Sequence, residues 1–191
     1  MKSFHFNGPA PLCTNSFLLI TGQGSGIIID ACAEPADYLA RLRENKARLV
    51  AILQTHGHFD HVGAIAALKQ ETGCTVYLSK KDAALFGLAC DEDLTDGERL
   101  TFDELTFEVI ATPGHTPGSV CLRCGGLLFT GDTLFAGDIG RTDLEGGSYT
   151  EMQQSLRRLL ARIGDEDPQV LPGHEEFSTF QKEKQTNYYL T

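Results

Sequence analysis

Short apolar runs and amphipathic stretches alternate along this chain. "CTNSFLLI" and "GSGIIID", with Gly22, Gly24 and Gly26 at their junction, predict a β-hairpin over residues 13–30. "EPADYLARLRENKA" follows, with Pro35 early and Leu39 and Leu42 on one face, and predicts an amphipathic helix. The continuous apolar stretch in "RLVAILQT" predicts a buried strand that runs straight into "HGHFDH". Beyond it, "VGAIAALKQETG" has helical spacing and a closing Gly73, "CTVYLS" reads as a strand, and "KKDAALFG" as a short helix. The second half repeats the rhythm. Strands are predicted at "RLTF", at "LTFEVIATPG" and on both sides of the Gly-Gly turn in "SVCLRCGGLLFTGD". The glycine-rich loop "LFAGDIGRTDLEGG" leads to a helix over residues 148–164, with Ser148 as cap, Glu151 three residues on and Gly164 at its end. A strand at "PQVLPG" and a helix within "STFQKEKQTNYY" close the chain. Alternating strands and helices with some hairpins predict an α/β layered fold with mixed sheets.

Composition narrows the reading. At 191 residues, 41% hydrophobic and 22% charged, with no internal repeat or linker-like tract, the expectation is one domain spanning 1–191. The net charge of −10 would repel phosphate backbones and anionic bilayers, so neither nucleic acid nor membrane is an expected partner. "MKSFHFNGPAPLC" has no apolar region of the secretory kind and no stretch of 18 apolar residues occurs, which predicts a cytoplasmic protein. The six cysteines are therefore expected as reduced thiols. Cys121 and Cys124 share the spacing of zinc and redox pairs, but three positions apart on a strand they face opposite ways.

The candidate chemistry sits where predicted strands end. His56, His58, Asp60 and His61 follow "LVAILQT", His115 follows "FEVIATPG", Asp132 follows "LLFTG", and His174 follows "QVLPG". Loops at strand ends can converge on one rim of a sheet, and Gly57, Gly114, Gly131 and Gly173 beside these residues would let the backbone approach a crowded centre. Three imidazoles within six residues have no use on an apolar surface or at a helix cap, so metal binding is the reading. His5, alone, reads as a surface or hydrogen-bonded residue. A tetrahedral zinc takes three or four ligands, and seven candidates argue for two ions. His56 and His58, two apart on an extended loop, can face one ion, while Asp60 and His61, a turn later, suit its neighbour. The simplest division puts His56, His58 and His115 on one ion and Asp60, His61 and His174 on the other, with Asp132 bridging.

These motifs resemble those of the metallo-β-lactamase superfamily, and within it the glyoxalase II (hydroxyacylglutathione hydrolase) group. "THGHFDH" is similar to the group's T-H-x-H-x-D-H signature, "GHTPGS" to its third-histidine loop, "GDTLF" to its bridging aspartate and "PGH" to its last ligand. The resemblance covers nearly the whole chain. It implies an αββα four-layer sandwich of two mixed sheets flanked by helices, the same seven ligands, and two divalent ions, zinc first, with iron and manganese also suited to imidazole and carboxylate. It implies hydrolysis of thioesters such as S-lactoylglutathione to a 2-hydroxy acid and a thiol, by a hydroxide between the ions that Asp60 helps orient. A small-molecule thioester, glutathione-derived among the choices, is the expected partner. The resemblance also implies that Asp30 supports the ligands from behind, and that Arg141 stands where the family has a glutathione-binding lysine. Glu176 departs from a family tyrosine, and the 17 residues after His174 leave no room for the helical glutathione-binding domain of the longer enzymes. Length and the "IGRTDLEGG" loop are closer to the short, single-domain bacterial type. A related alternative is a persulfide dioxygenase using one iron on His56, His115 and Asp132.

Overall fold

The computed structural model describes residues 1–190. The first sheet has the order β1-β2-β3-β4-β5, built from Lys2–Asn7, Asn15–Ile20, Ser25–Ile29, Arg48–Leu53 and Thr75–Tyr77. The β2–β3 hairpin is antiparallel, as its glycines suggest, whereas β3, β4 and β5 run parallel, with α1 (Pro35–Glu44) crossing from β3 to β4 and the helical segment 59–72 from β4 to β5. The second sheet has the order β11-β10-β9-β8-β7-β6. Its strands are β6 (Arg99–Phe102), β7 (Leu105–Ala111), β8 (Val120–Cys124), β9 (Leu127–Gly131), β10 (Gln169–Pro172) and β11 (Ser178–Thr179). It is antiparallel except for the β9–β10 pair, which the helix α5 (Tyr149–Ile163) joins.

Side-chain alternation turns these sheets into layers. Along β2, Phe17 and Leu19 face the second sheet and meet Phe107, Leu122 and Phe129 in a shared core. Leu18 and Ile20 point the other way, onto Tyr38 and Leu42 of α1 and Leu68 of α3 (Ile65–Thr72). The outer face of the second sheet, Ile110, Cys121, Leu128 and Val170, packs on Met152, Leu156, Leu159 and Ile163 of α5 and on Phe180 of α6 (Phe180–Thr186). Both faces of both sheets are thus covered, which makes the αββα sandwich. Cys121 lies in the outer core and Cys124 in the inner one, on opposite faces as the strand geometry requires, and all six cysteines are free. Ser148 caps α5 by accepting from the Glu151 amide, and Gly164 ends it. Among the described residues no helix is long and apolar enough to cross a membrane.

One strand was not predicted, and one expectation is corrected. "KSFHFN", not singled out above, is the edge strand β1, with Phe4 and Phe6 turned towards the helix-side core. The helix expected over residues 62–73 is two: α2 (Phe59–Val62) and α3, broken at Gly63–Ala64. Here the backbone turns to the sheet for partners: the His61 carbonyl accepts from Gln54 Nε2 (2.9 Å) and the Ala64 amide donates to Ala31 O (2.8 Å). The remaining short helix, α4 (Lys80–Phe86), lies where expected, capped by Ser79.

Candidate metal centre

Strand direction brings the donors together. β3 and β4 are parallel, so Asp30, just beyond β3, and the His56–His61 segment, just beyond β4, leave the same edge of the first sheet. In the second sheet β7, β9 and β10 point one way and place His115, Asp132 and His174 at the matching edge. The edges are tied to each other by Val120 N to Thr55 O (2.9 Å) and Asn15 N to Gly173 O (2.7 Å).

All seven expected donors meet there. His56, His58 and His115 form one triad, Asp60, His61 and His174 another, and His56, His61 and Asp132 a third that links them; within each triad the donor atoms lie within 4.8 Å of one another. Asp132 stands between the halves, its Oδ2 3.4 Å from His115 Nε2 and 3.5 Å from His174 Nε2, and its Oδ1 3.4 Å from His61 Nε2. His56, His61, His115 and Asp132 are buried, while His58, Asp60 and His174 are half-exposed at the mouth. Gly173 makes this crowding feasible: a Cβ there would fall 2.3 Å from Asp132 Oδ1 and 2.6 Å from His61 Cε1. The other three flanking glycines do not face the donors as expected. Gly57 backs onto Phe86 and Asp82, Gly114 onto the Met152 backbone, and Gly131 onto Thr55.

The donor set fits a cation. His56 Nε2 and Asp132 Oδ1 are buried without a hydrogen-bond partner, a costly arrangement unless something else satisfies them. Burial holds His56 well below the usual imidazole range, with the neighbouring His61 adding to it. Burial and then His115 bring His58 down to about 4. Both rings are therefore neutral, the form in which imidazole binds metal. His61 is the exception: burial works to lower it, but Asp132 and Asp30 raise it to about 10. Asp132 and Asp60 are held below the usual carboxylate range; burial opposes this, and His61 for the first and His174 for the second outweigh it. The same carboxylates that raise His61, with Asp60 beside them, form a nest that would favour a metal cation.

A second layer orients the donors. Asp30 Oδ2 contacts His61 Nδ1 (3.0 Å) and accepts from Thr55 Oγ1 (2.7 Å), and Thr55 Oγ1 meets His56 Nδ1 (3.1 Å). Asp30 sits at φ 53°, a left-handed conformation that Asp tolerates better than most residues. His174 Nδ1 contacts Leu12 O (3.2 Å), and Thr14 Oγ1 donates to Asp60 Oδ2 (2.8 Å). Arg141 contributes its backbone: His115 Nδ1 lies 2.7 Å from Arg141 O, while its exposed guanidinium forms a bidentate pair with Asp143 at 2.7 and 2.8 Å. Sequence reasoning missed Asp82, Thr14, Thr55 and Gln54. Asp82, Thr14 and Gln54 are single polar residues without a motif, recognisable only once the fold brings distant segments beside them, while Thr55 opens the quoted signature but carried no role of its own there. His5 is hydrogen-bonded to Asn15 Oδ1 (2.8 Å) and stacked on Phe17, away from the donors, as expected of it.

Residues 10–174 match the metallo-beta-lactamase superfamily. The chain is 36% identical over 196 aligned residues to the hydroxyacylglutathione hydrolase GloC of Haemophilus influenzae, covering 92% of each. Among solved structures it resembles ETHE1 from Myxococcus xanthus (TM-score 0.88, 30% identity, 98% of this chain and 84% of that one). It also resembles TTHA1623 in a di-iron-bound form (TM-score 0.83, 36% identity, 98% and 100%). The layered sheets, the converging donors and these likenesses agree that the chain belongs to the metallo-β-lactamase superfamily of metal-dependent hydrolases.

Proposed function

We propose that residues 1–191 form a single-domain, cytoplasmic thioester hydrolase that uses two divalent ions, zinc by preference, to cleave substrates such as S-lactoylglutathione. The observation that carries this reading is the pair of donor triads joined through Asp132, with His56 Nε2 and Asp132 Oδ1 buried between them without a hydrogen-bond partner. The likeness to a hydroxyacylglutathione hydrolase supports the substrate class, and a di-iron-bound relative supports the two-ion count. His56, His58 and His115 would hold one ion, Asp60, His61 and His174 the other, and Asp132 both. Ions bound there supply Lewis acidity, polarising the thioester carbonyl and lowering the pKa of water. Asp60, fixed by Thr14, orients the attacking water. Water gives up a proton to solvent as its oxygen adds to the carbonyl carbon, the carbon–sulfur bond breaks with its electron pair going to sulfur, and the thiolate leaves without needing a proton donor while the new acid loses its remaining proton to solvent. Asp30 keeps the His61 ring turned to the centre by holding its Nδ1. Arg141, at the rim, is free to exchange Asp143 for a carboxylate of the thiol portion.

Likeness to ETHE1 favours a second reading, a persulfide dioxygenase with one iron on His56, His115 and Asp132. Metal-loaded protein is assayed against S-lactoylglutathione, other thioesters and glutathione persulfide, with His56→Ala as control. Thioester turnover with two ions per chain is expected. Oxygen uptake with the persulfide and one iron per chain would establish the dioxygenase instead.

A further inference from the structure

Asp82 is a fully buried carboxylate with no part in the chemistry above, yet it touches both loops that carry His56, His58 and His115. Its Oδ2 accepts from the Gly57 amide (2.8 Å), between His56 and His58, and from Thr116 Oγ1 (2.7 Å), next to His115. Its Oδ1 accepts from the Gly118 amide (2.7 Å). These partners lie 25, 34 and 36 residues away, so one side chain on α4 clamps two segments whose other direct ties are the Val120 N to Thr55 O bond and the His58–His115 ring contact. The pocket is shaped for it. A Cβ at Gly118 would fall 2.4 Å from Asp82 Oδ1, and one at Gly57 would fall 3.2 Å from Asp82 Cβ and 2.5 Å from Phe86 Cδ2. Phe86, on the same helix, places its ring 5.1 Å from that of His58. Burial raises the Asp82 carboxyl, and the three hydrogen bonds work against that rise.

The other triad is braced without Asp82. Thr14 holds Asp60, Asp30 holds His61, Leu12 O meets His174, and Asn15 Nδ2 ties down Pro172 O (3.0 Å) and Glu175 O (3.1 Å). We infer that Asp82 is a positioning residue for the His56–His58–His115 triad alone, setting the affinity of one ion and not the other. This rests on the two-ion reading above. Both loops lose register when the clamp is removed, since His58 and His115, whose ring nitrogens are 2.8 Å apart, sit on different loops. His56 keeps its contact with Thr55.

The test is zinc titration of metal-stripped protein in competition with a chromophoric chelator, which reads affinity rather than turnover. Asp82→Asn keeps the shape but sets an amide donor against at least one of the existing donors. Wild type is expected to bind two ions. In Asp82→Asn one event stays near wild type while the other weakens by about 10–100-fold, the usual cost of losing an outer-layer partner. Thr14→Val, aimed at Asp60, weakens the opposite event, and the double variant weakens both. If Asp82→Asn does not fold by circular dichroism, Thr116→Val removes only the hydroxyl donor and is expected to weaken the same event less. Two wild-type affinities in a folded Asp82→Asn protein, or equal weakening of both, overturn the inference while leaving the two-ion reading intact. Fewer than two ions on wild type overturns both.

Discussion

The two sheets reach the same edge in different ways. The first delivers four donors, His56, His58, Asp60 and His61, in one stretch after β4. The second delivers His115, Asp132 and His174 singly, from the ends of β7, β9 and β10. The geometry of the contiguous part is largely local: an extended loop followed by the turn of α2 sends His56 and His58 to one half of the centre and Asp60 and His61 to the other. The scattered part depends on strand order and on what holds each loop, such as α5, whose Ser148 amide donates to Gly114 O (2.8 Å) and whose Ser155 hydroxyl donates to Pro113 O (2.6 Å). A contiguous motif thus reaches the centre as one piece, whereas each dispersed donor depends separately on what holds its own loop.

Substitutions on the dispersed side should therefore do the most damage. Asp132→Ala removes the carboxylate that stands between the two halves. Losing several kcal/mol of charge stabilisation corresponds to a fall in kcat/KM for S-lactoylglutathione of about 10³-fold, and metal analysis should find fewer than two ions per chain. Gly173→Ala drives a methyl group into Asp132 and His61 from the second-sheet side. A displacement approaching 1 Å at the reacting centre costs about 10²-fold in kcat, and thermal unfolding checks that the fold survives. Asp30→Asn acts on the contiguous side. Asn also tolerates the left-handed backbone there, so the change isolates the loss of the carboxylate beside His61. Metal affinity should drop by about 10–100-fold in chelator competition. An Asp30→Asn effect larger than that of Asp132→Ala would break the contrast between the sheets.

Much of this was legible in the sequence because local patterns carried it. The β2–β3 hairpin, the capped α5 and the Gly-Gly turn between β8 and β9 each have their signals within a few residues. The donors were legible because each follows an apolar run, and a strand's end is marked where its apolar pattern stops. Two kinds of feature were not. β1 does alternate, but its signal is only Phe4 and Phe6, half-buried and flanked by exposed polar residues, as befits an edge. The α2–α3 break arises from Gln54 and Ala31 reaching in from the sheet, which no pattern within residues 59–73 announces. Asp82 illustrates the same limit: in "KKDAALF" it reads as one more helix-surface charge, and only Gly57, Thr116 and Gly118 show that it points inward.

The distribution of the cysteines has a practical consequence. Cys121 and Cys124 are divided between two cores, Cys32 and Cys74 are buried, Cys90 is partly shielded, and Cys13 is exposed. Burial also pushes the Cys32 thiol up to about 12 and the Cys121 thiol up to about 11, which suppresses their reactive thiolates. A thiol-directed fluorophore added to the unaltered protein will therefore attach first at Cys13, one residue from the Leu12 carbonyl that meets His174. The native chain carries its own attachment point for an optical reporter of what enters the centre.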